Sequence, residues 1–580
     1  MTPRLPSCIV VALATSAIAA RAAAAQTAAV PMVPPAASEA RAAHVLNRLT
    51  FGPRPGDVER VVRMGIDRWI DEQLRPESID DSAGAAALAG CPYWTNPIET
   101  ALATPRVVTP TAPAMALSEE RMVARVAAVR LLVTRGVTVT RRDTSSRRAI
   151  RNPGPVTNNQ LVACRLARVE ASDQQLLEVM TDFWQNHFSI YGATLPSRES
   201  LLEWDRFIIR PNALGRFRDL LGAVARSPAM LAYLDNAVSS ADPDHRTLAE
   251  YANPSVFDTA TLARQRAGKG LNENYGRELL ELHTLGVAGG YTQTDVIEVA
   301  RAFTGWTHSM IDFRNPRRVI LAPNGKVAAF RFDSTAHDAD AKVVLGTMLP
   351  AGRGLEDGEQ VLDILAGHPS TARFIARKLA VRFVSETPPD ALVDRAAATF
   401  LRTDGDIRAV LRTIVTSPEF FSRDVYGTKV KSPLELVLSM RRALAAPTDT
   451  AGEMIDLLID LDQPPFGRLA PDGWPETGSP WLNFGSMLTR LELATRVANG
   501  KVRSIPVEAW PAWKTLVAQP FAAQVDGVIR TVLNGQASRA TRAAMLGARP
   551  KADSETAEAR QVALRELLAL ALGSPEFQGR

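Results

Sequence analysis

Helical periodicity, recurring along almost the whole chain, is the feature that most limits what this sequence can fold into. Apolar residues return every three to four positions in Ser38–Leu49, Pro55–Leu74, Ser118–Thr134, Asp173–Phe188, Arg198–Ile209, Leu214–Ser227, Asn274–Leu285 and Thr294–Phe303. The spacing continues through Gly358–Leu365, Ser370–Arg382, Pro389–Thr403, Asp406–Thr416, Pro433–Ala445, Phe484–Asn499, Ala518–Leu533 and Ala557–Leu572. Each such segment carries one apolar stripe that must be buried against a neighbour. Strand signals are confined to Arg317–Phe332, with a turn at Asn324-Gly325, and to Val343–Leu345. The sequence therefore predicts a mainly α, multi-helical globular protein with one small β-hairpin element.

Three helices end in the same way. Ser227-Pro228, Ser417-Pro418 and Ser574-Pro575 each follow an apolar helical run. Serine caps the next turn, and proline suits its first position because the N–H it lacks has no helical acceptor there. The spacing is irregular, so this is a recurrent helix-turn device and not a repeat array. Weak points at Thr104–Pro113, Arg141–Asn159 and Asp462–Pro480 suggest an N-terminal part (38–160) with a variable insertion, a central helical core (161–422) containing the β element, and a C-terminal helical part (423–580).

The first residues have a basic start at Arg4, an apolar run from Cys8 to Ala20 and an Ala-rich exit to Ala25. This is the grammar of a secretory signal peptide, and the run is shorter than the roughly 20 residues a bilayer requires. Cleavage is expected near Ala25, with Ala29 as a second position, followed by an unstructured leader over 26–37. The expected location is periplasmic or secreted, with no membrane span after cleavage. Removing Arg4 and Arg21 lowers the net charge from +5 to +3, which gives no footing for nucleic acid as a partner. The basic cluster Arg141–Arg151 reads as a solvated loop. Cys8 would leave with the signal. Cys91 and Cys164 then either pair, as exported cysteines often do, or remain free thiols.

Four places carry candidate chemistry. On the helix ending MTDFWQNHF, His187 falls with Leu176, Met180 and Phe183, while Glu178, Asp182 and Gln185 take the opposite side. His187 is therefore either a core histidine bonded to a neighbour or an acid/base group. In Gly270–Trp306, Glu278 projects between Leu282 and Leu285, bordered by Asn274 and Glu281, with Arg277 further round and His283 beyond the far edge. A carboxylate among leucines needs a cation, a metal or a proton. It is either a tie between helices or a general acid/base. The loop Asp333–Lys342 offers His337 and Asp338 as metal ligands, although its spacing fits no calcium loop. The Pro/Gly-rich loop Gln463–Asn483 carries Phe466, Trp474 and Trp481, which suit either a flat ligand such as a sugar ring or a packed lid. The sequence contains no G-x-S-x-G, no H-E-x-x-H and no P-loop.

Taken in order, HVLNRLTFGP, FWQNHF, NENYGRELLELHTLG, DVIEVARAFTGW, HDADAKVVLG, HPSTARFIARKLAVRFV, SPEFF, KSPLELV and PPFGRLAPDGWP resemble the bacterial domain-of-unknown-function family numbered 1800. The blocks cover nearly the whole chain after the leader. The resemblance implies export, and a neighbourhood with a second, sulfatase-like uncharacterised family. Its blocks contain Asn186, His187, Asn274, Arg277, Glu278, Glu281, His283, His337, Asp338 and Lys342. Two functions follow as expectations. One is a periplasmic, hydrolase-like enzyme with His187 and Glu278 as the catalytic pair, for which a divalent metal is an admissible cofactor. The other is a non-catalytic partner or assembly factor for an exported sulfatase-like protein.

Overall fold

The computed structural model describes residues 38–91, 94, 158–193, 199–252, 270–308, 330–449, 452–549 and 556–580. The signal and leader, most of the 104–159 insertion, the helix expected at Ser118–Thr134 and the Asn324-Gly325 turn lie outside these residues. The described chain is mainly α, with two small antiparallel two-stranded sheets.

Where local signals are complete, the elements fall where the sequence puts them. The first helix, α1, spans Ser38–Leu49. The next expected helix is cut in two, Asp57–Met64 and Ile66–Gln73, because Gly65 takes φ +92° between them. Helix α2 (Asn158–Ala171), which the periodicity did not announce, leads into the expected α3 (Gln175–His187). Ser227 Oγ accepts from the N–H of Ala229, and Ser574 Oγ from that of Phe577, so the Ser-Pro device operates as read.

One expected helix, Asn274–Leu285, changes character part-way. It begins as α4 (Glu273–Glu278) and continues as a π-helical turn over Leu279–Thr284, sealed by the N–H of Leu285 donating to the Leu280 carbonyl at 2.8 Å. In an i→i+5 turn each residue advances by less than the roughly 100° of an α-helix, so the later side chains rotate back. His283, expected at the edge, is consequently buried, whereas Leu282 and Glu278 are only half-buried. Gly286 follows with φ +82°. Helix α5 (Gln293–Ala302) opens with a reciprocal Thr292/Asp295 capping box. It packs on α4 at Gly276, where a Cβ would stand 2.7 Å from the Val296 carbonyl oxygen.

Among the described residues the β structure is two pairs of short antiparallel strands, and the expected Asn324-Gly325 turn lies outside them. Strand β1 (Trp306–His308) pairs with β2 (Phe330–Phe332), the last part of the expected strand region, in the register Trp306 to Phe332. Strands β3 (Lys342–Val344) and β4 (Thr347–Leu349) form a tight hairpin. Its turn residues, Leu345 and Gly346, have φ +47° and +79°, the signs of a type I′ turn. No Asn-Gly or Asp-Gly announces this turn, so the sequence reading stopped at a lone strand.

Beyond the sheets lie α6 (Pro369–Phe383), α7 (Pro433–Ala443), α8 (Phe484–Ala498) and α9 (Ala557–Gly573). Buried apolar side chains from Ala42 to Phe577 form one contiguous cluster. No helix of the described residues is long and apolar enough to cross a membrane. A satellite cluster of Leu88, Cys91, Trp94, Leu161 and Leu202 surrounds a disulfide between Cys91 and Cys164, 73 residues apart. Closing a loop of that length is worth about 4 kcal/mol in the chain-entropy account. Replacing both cysteines by serine is expected to lower the thermal midpoint, and reductant to do the same to the wild type but not to the variant, as read by calorimetry.

Candidate functional site

The two faces of α3 lead to different surroundings. On the apolar face, His187 is 2% exposed among Phe183, Trp184, Phe188 and Phe374, with ring centroids 4.5–6.3 Å away. Its Nε2 donates to the His283 carbonyl at 3.1 Å. His187 Nδ1 and His283 Nε2 have no hydrogen-bond partner among the described residues. Burial, reinforced by the Lys378 charge, pushes His187 well below the ordinary imidazole range and His283 down to about 3. Both rings are therefore uncharged at neutral pH.

Glu278 has other company. It is half-buried, and burial, Glu281 and Asp472 raise its carboxyl against the pull of Arg277. Arg277 donates to Gln293 Oε1 at 2.9 Å and stands 3.7 Å from Glu273. Glu281 accepts from the Tyr291 hydroxyl at 2.9 Å, and Asn274 is exposed. No hydrogen bond or ion pair joins Glu278 to His187 among the described residues.

The HDADAK loop is a self-satisfied ionic knot. Lys342 is 1% exposed and donates through Nζ to the carbonyls of Asp338 (2.6 Å) and Asp340 (2.9 Å) and to Asp357 Oδ2 (2.8 Å). Both Asp338 oxygens receive Arg301, at 2.8 and 3.2 Å. His337 Nδ1 donates to the Thr304 carbonyl at 2.8 Å. The potential ligand group brought together is His245, Asp338 and Asp340, not His337 with Asp338. His245 Nδ1 lies 2.9 Å from Asp338 Oδ2. Arg301 on Asp338 and Arg246 on Asp340, at 2.9 Å, already supply the positive charge a divalent ion would bring.

The opposite face of α3, which looks solvent-facing in projection, borders a cavity of about 80 Å³ roofed by the 462–480 loop. That volume holds on the order of five water molecules. Asp182, Gln185 and Asn186 line it from α3, Arg165 from α2, Arg382 from α6 and Glu435 from α7, with Phe466, Trp474, Glu476 and Arg580 completing the wall. Asn186 clamps the roof. Its Nδ2 donates to the Trp474 carbonyl at 2.8 Å and to Glu476 Oε1 at 3.3 Å, and its Oδ1 accepts from the Trp474 N–H at 2.6 Å. Gly473, at φ +75°, leaves room for this approach, since a Cβ there would strike the Asn186 carbonyl. Further pins are Gly192 N–H to the Phe466 carbonyl (2.9 Å), Tyr233 hydroxyl to the Leu469 carbonyl (2.8 Å) and Gly478 N–H to Glu386 Oε1 (2.6 Å). At this cavity the structure brings together two of the sequence candidates, Asn186 and Trp474.

Arg382 is the centre of the wall. Its guanidinium stands 3.0 Å from Glu435, 3.2 Å from Glu476 and 3.7 Å from Asp182. Arg580 also reaches Glu435, at 3.0 Å. Glu435 is closed in, with 6% of its side chain exposed, whereas Asp182 and Glu476 keep 19% and 17%. Burial raises the Asp182 carboxyl in spite of Arg165 and Arg382. Burial acts on Glu476 in the same direction, but Arg382 and Lys429 outweigh it and hold that carboxyl below its ordinary value. Glu435 is drawn down to about 2 as Arg580 and Arg382 overcome burial.

The family known as protein of unknown function DUF1800 matches residues 44–579. This chain belongs to that family. No curated protein and no solved structure matches it. Two charged cavity residues of this family member sit inside the blocks already quoted, Arg382 in HPSTARFIARKLAVRFV and Glu435 in KSPLELV, and Glu476 follows immediately after the block ending APDGWP. Periodicity passes over them because it assigns charged positions to solvent. A usable signal was the crowding of Lys431, Glu435, Arg441 and Arg442 on a segment whose apolar content calls for full burial.

Two measurements test this description. Asn186→Ala removes three hydrogen bonds to the roof and should cost about 1–3 kcal/mol, with faster amide exchange confined to 462–480. Protection there equal to wild type would refute the clamp. His283→Gln addresses the neutral imidazole. Folded His283 titrates near 3, and the unfolded ring near 6.5. Its stabilisation is complete above 6.5 and is lost as pH falls from 6.5 towards 3, at about 1.4 kcal/mol per pH unit. The variant should show a stability–pH slope between pH 6 and 4 shallower by that amount in urea unfolding.

Proposed function

We propose that this protein is an exported, hydrolase-like enzyme working in the cavity beneath the 462–480 loop. Export is supported by the signal-like first 25 residues and by the Cys91–Cys164 disulfide, a bond that persists in oxidising compartments. The observation that carries the enzymatic reading is the opposed protonation tendency of two partly exposed carboxylates, Asp182 and Glu476, facing one cavity across Arg382. Carboxylates pushed apart in this way divide acid and base roles. Asp182, biased towards its protonated form, donates a proton to the leaving-group oxygen. Glu476, held ionised, takes a proton from the attacking water, whose oxygen forms the new bond as the old one breaks. Trp474 and Phe466 offer flat apolar surface to the substrate, and the pinned roof limits bulk water.

The test is hydrolysis of a panel of 4-nitrophenyl glycosides and carboxylic esters by purified protein. Asp182→Asn and Glu476→Gln should each reduce kcat by about 100-fold or more with the fold retained by circular dichroism. The loss from Asp182→Asn should be smallest for the best leaving groups, which need least protonation. Activity equal to wild type in both folded variants, or no turnover of any panel member, would remove this reading.

A further inference from the structure

The charge cluster around Glu435, which reaches the cavity through Arg382 and Arg580, carries more cationic than carboxylate side chains. Six cationic side chains interact with Glu435: Arg48, Arg382, Lys429, Lys431, Arg490 and Arg580. Against them stand four side-chain carboxylates, Glu435, Glu476, Asp182 and Glu386. All six cations are at least nine-tenths buried, and a buried charge without a counter-charge is costly. Several of their donors are also idle. Arg382 Nε, Arg580 Nε and Nη1, and Arg48 Nε and Nη1 have no hydrogen-bond acceptor among the described residues. Lys431 spends its ammonium over the Phe577 ring at 4.1 Å.

The lysines register the imbalance. Burial, then Arg580 and Arg48, bring Lys429 down to about 7 against Glu476 and Glu386. Burial, with Arg580 and Arg490, brings Lys431 down to about 7 against Glu435. These are the charged groups that face the two ammoniums from the neighbouring elements.

We propose that the cavity receives a small oxyanionic group, a carboxylate, sulfate or phosphate, seated against Arg382 and Arg580 with Lys429 and Lys431 behind them. The substrate class of the site is then an anionic one, an inference that rests on the reading of this cavity as the working site. The idle N–H groups, Nε of Arg382 and Nε and Nη1 of Arg580, are donors for the oxygens of such a group. Its negative charge offsets the surplus and favours the charged form of both lysines, so binding takes up protons near neutral pH. Affinity should fall by as much as tenfold per pH unit above 7 for each linked proton.

The experiment is calorimetric titration of the full chain with sodium sulfate, phosphate and acetate at constant ionic strength in chloride. It is run at pH 6.5 and 8.5 and in buffers of different ionisation enthalpy. At least one anion should bind saturably and more tightly at pH 6.5, with net proton uptake. Which one binds separates carboxylate from tetrahedral oxyanion. Arg382→Gln should abolish binding, and because that variant risks the fold, Lys429→Gln is the second probe. It should remove part of the proton uptake while the thermal transition stays cooperative. Binding no better than chloride, or binding unaltered in folded Arg382→Gln and Lys429→Gln, would overturn the proposal. The two readings fail separately. Absent anion binding with Asp182-dependent hydrolysis of neutral substrates removes only the anion site. Intact anion binding with a silent Asp182→Asn removes only the acid–base pair.

Discussion

Much of this molecule hangs on the ion pairing of Arg382 with Glu435. Arg382 comes from the buried side of α6 and Glu435 from the first turn of α7, where it also completes a capping box with Ser432. Arg580 meets the same carboxylate, so the 578–580 segment is drawn onto the 429–431 backbone. Glu476 brings in the roof loop and Asp182 brings in α3. Five separate segments thus converge on one guanidinium–carboxylate contact. Such a centre adds little net stability compared with an apolar replacement, but removing one partner strands a buried charge at about 3–5 kcal/mol. Its value here is positional: it holds two less buried carboxylates against a cavity.

The rest of the polar interior follows the same rule in smaller form. Glu178, with no exposed surface, is held by Arg168 and Arg210, and Asp205 by Arg165 and Arg210. Lys342 is held by Asp357 and two carbonyls. In these knots each charge meets an opposite charge or an acceptor. Around Glu435 the cationic side chains outnumber the side-chain carboxylates.

How far the sequence spoke depended on the range of the interaction. The α1 helix, the Thr292/Asp295 box and the Ser-Pro caps were legible because each is settled within a few residues. His187 was legible as an inward residue, since the α-helical period holds through α3. The position of Glu278 was misjudged because a π turn follows it and changes the phase of the residues it was compared with. Asp182 was passed over because its side of α3 is polar, and polarity is read as solvent. Glu178 on that side is fully buried. The partner of β2 was missed because Trp306–His308 carries only three strand residues, too few for a period to appear.

The sequence by itself determined the helical class, the bounds of most of the helices it announced, the caps and the family. These follow from local periodicity and from blocks of residues in a fixed order. Tertiary structure alone decided which charges share a site. Arg382, Glu435, Glu476, Asp182 and Arg580 are separated by up to 398 positions. Their mutual distances arise only once the apolar stripes have packed and carried their polar passengers inside.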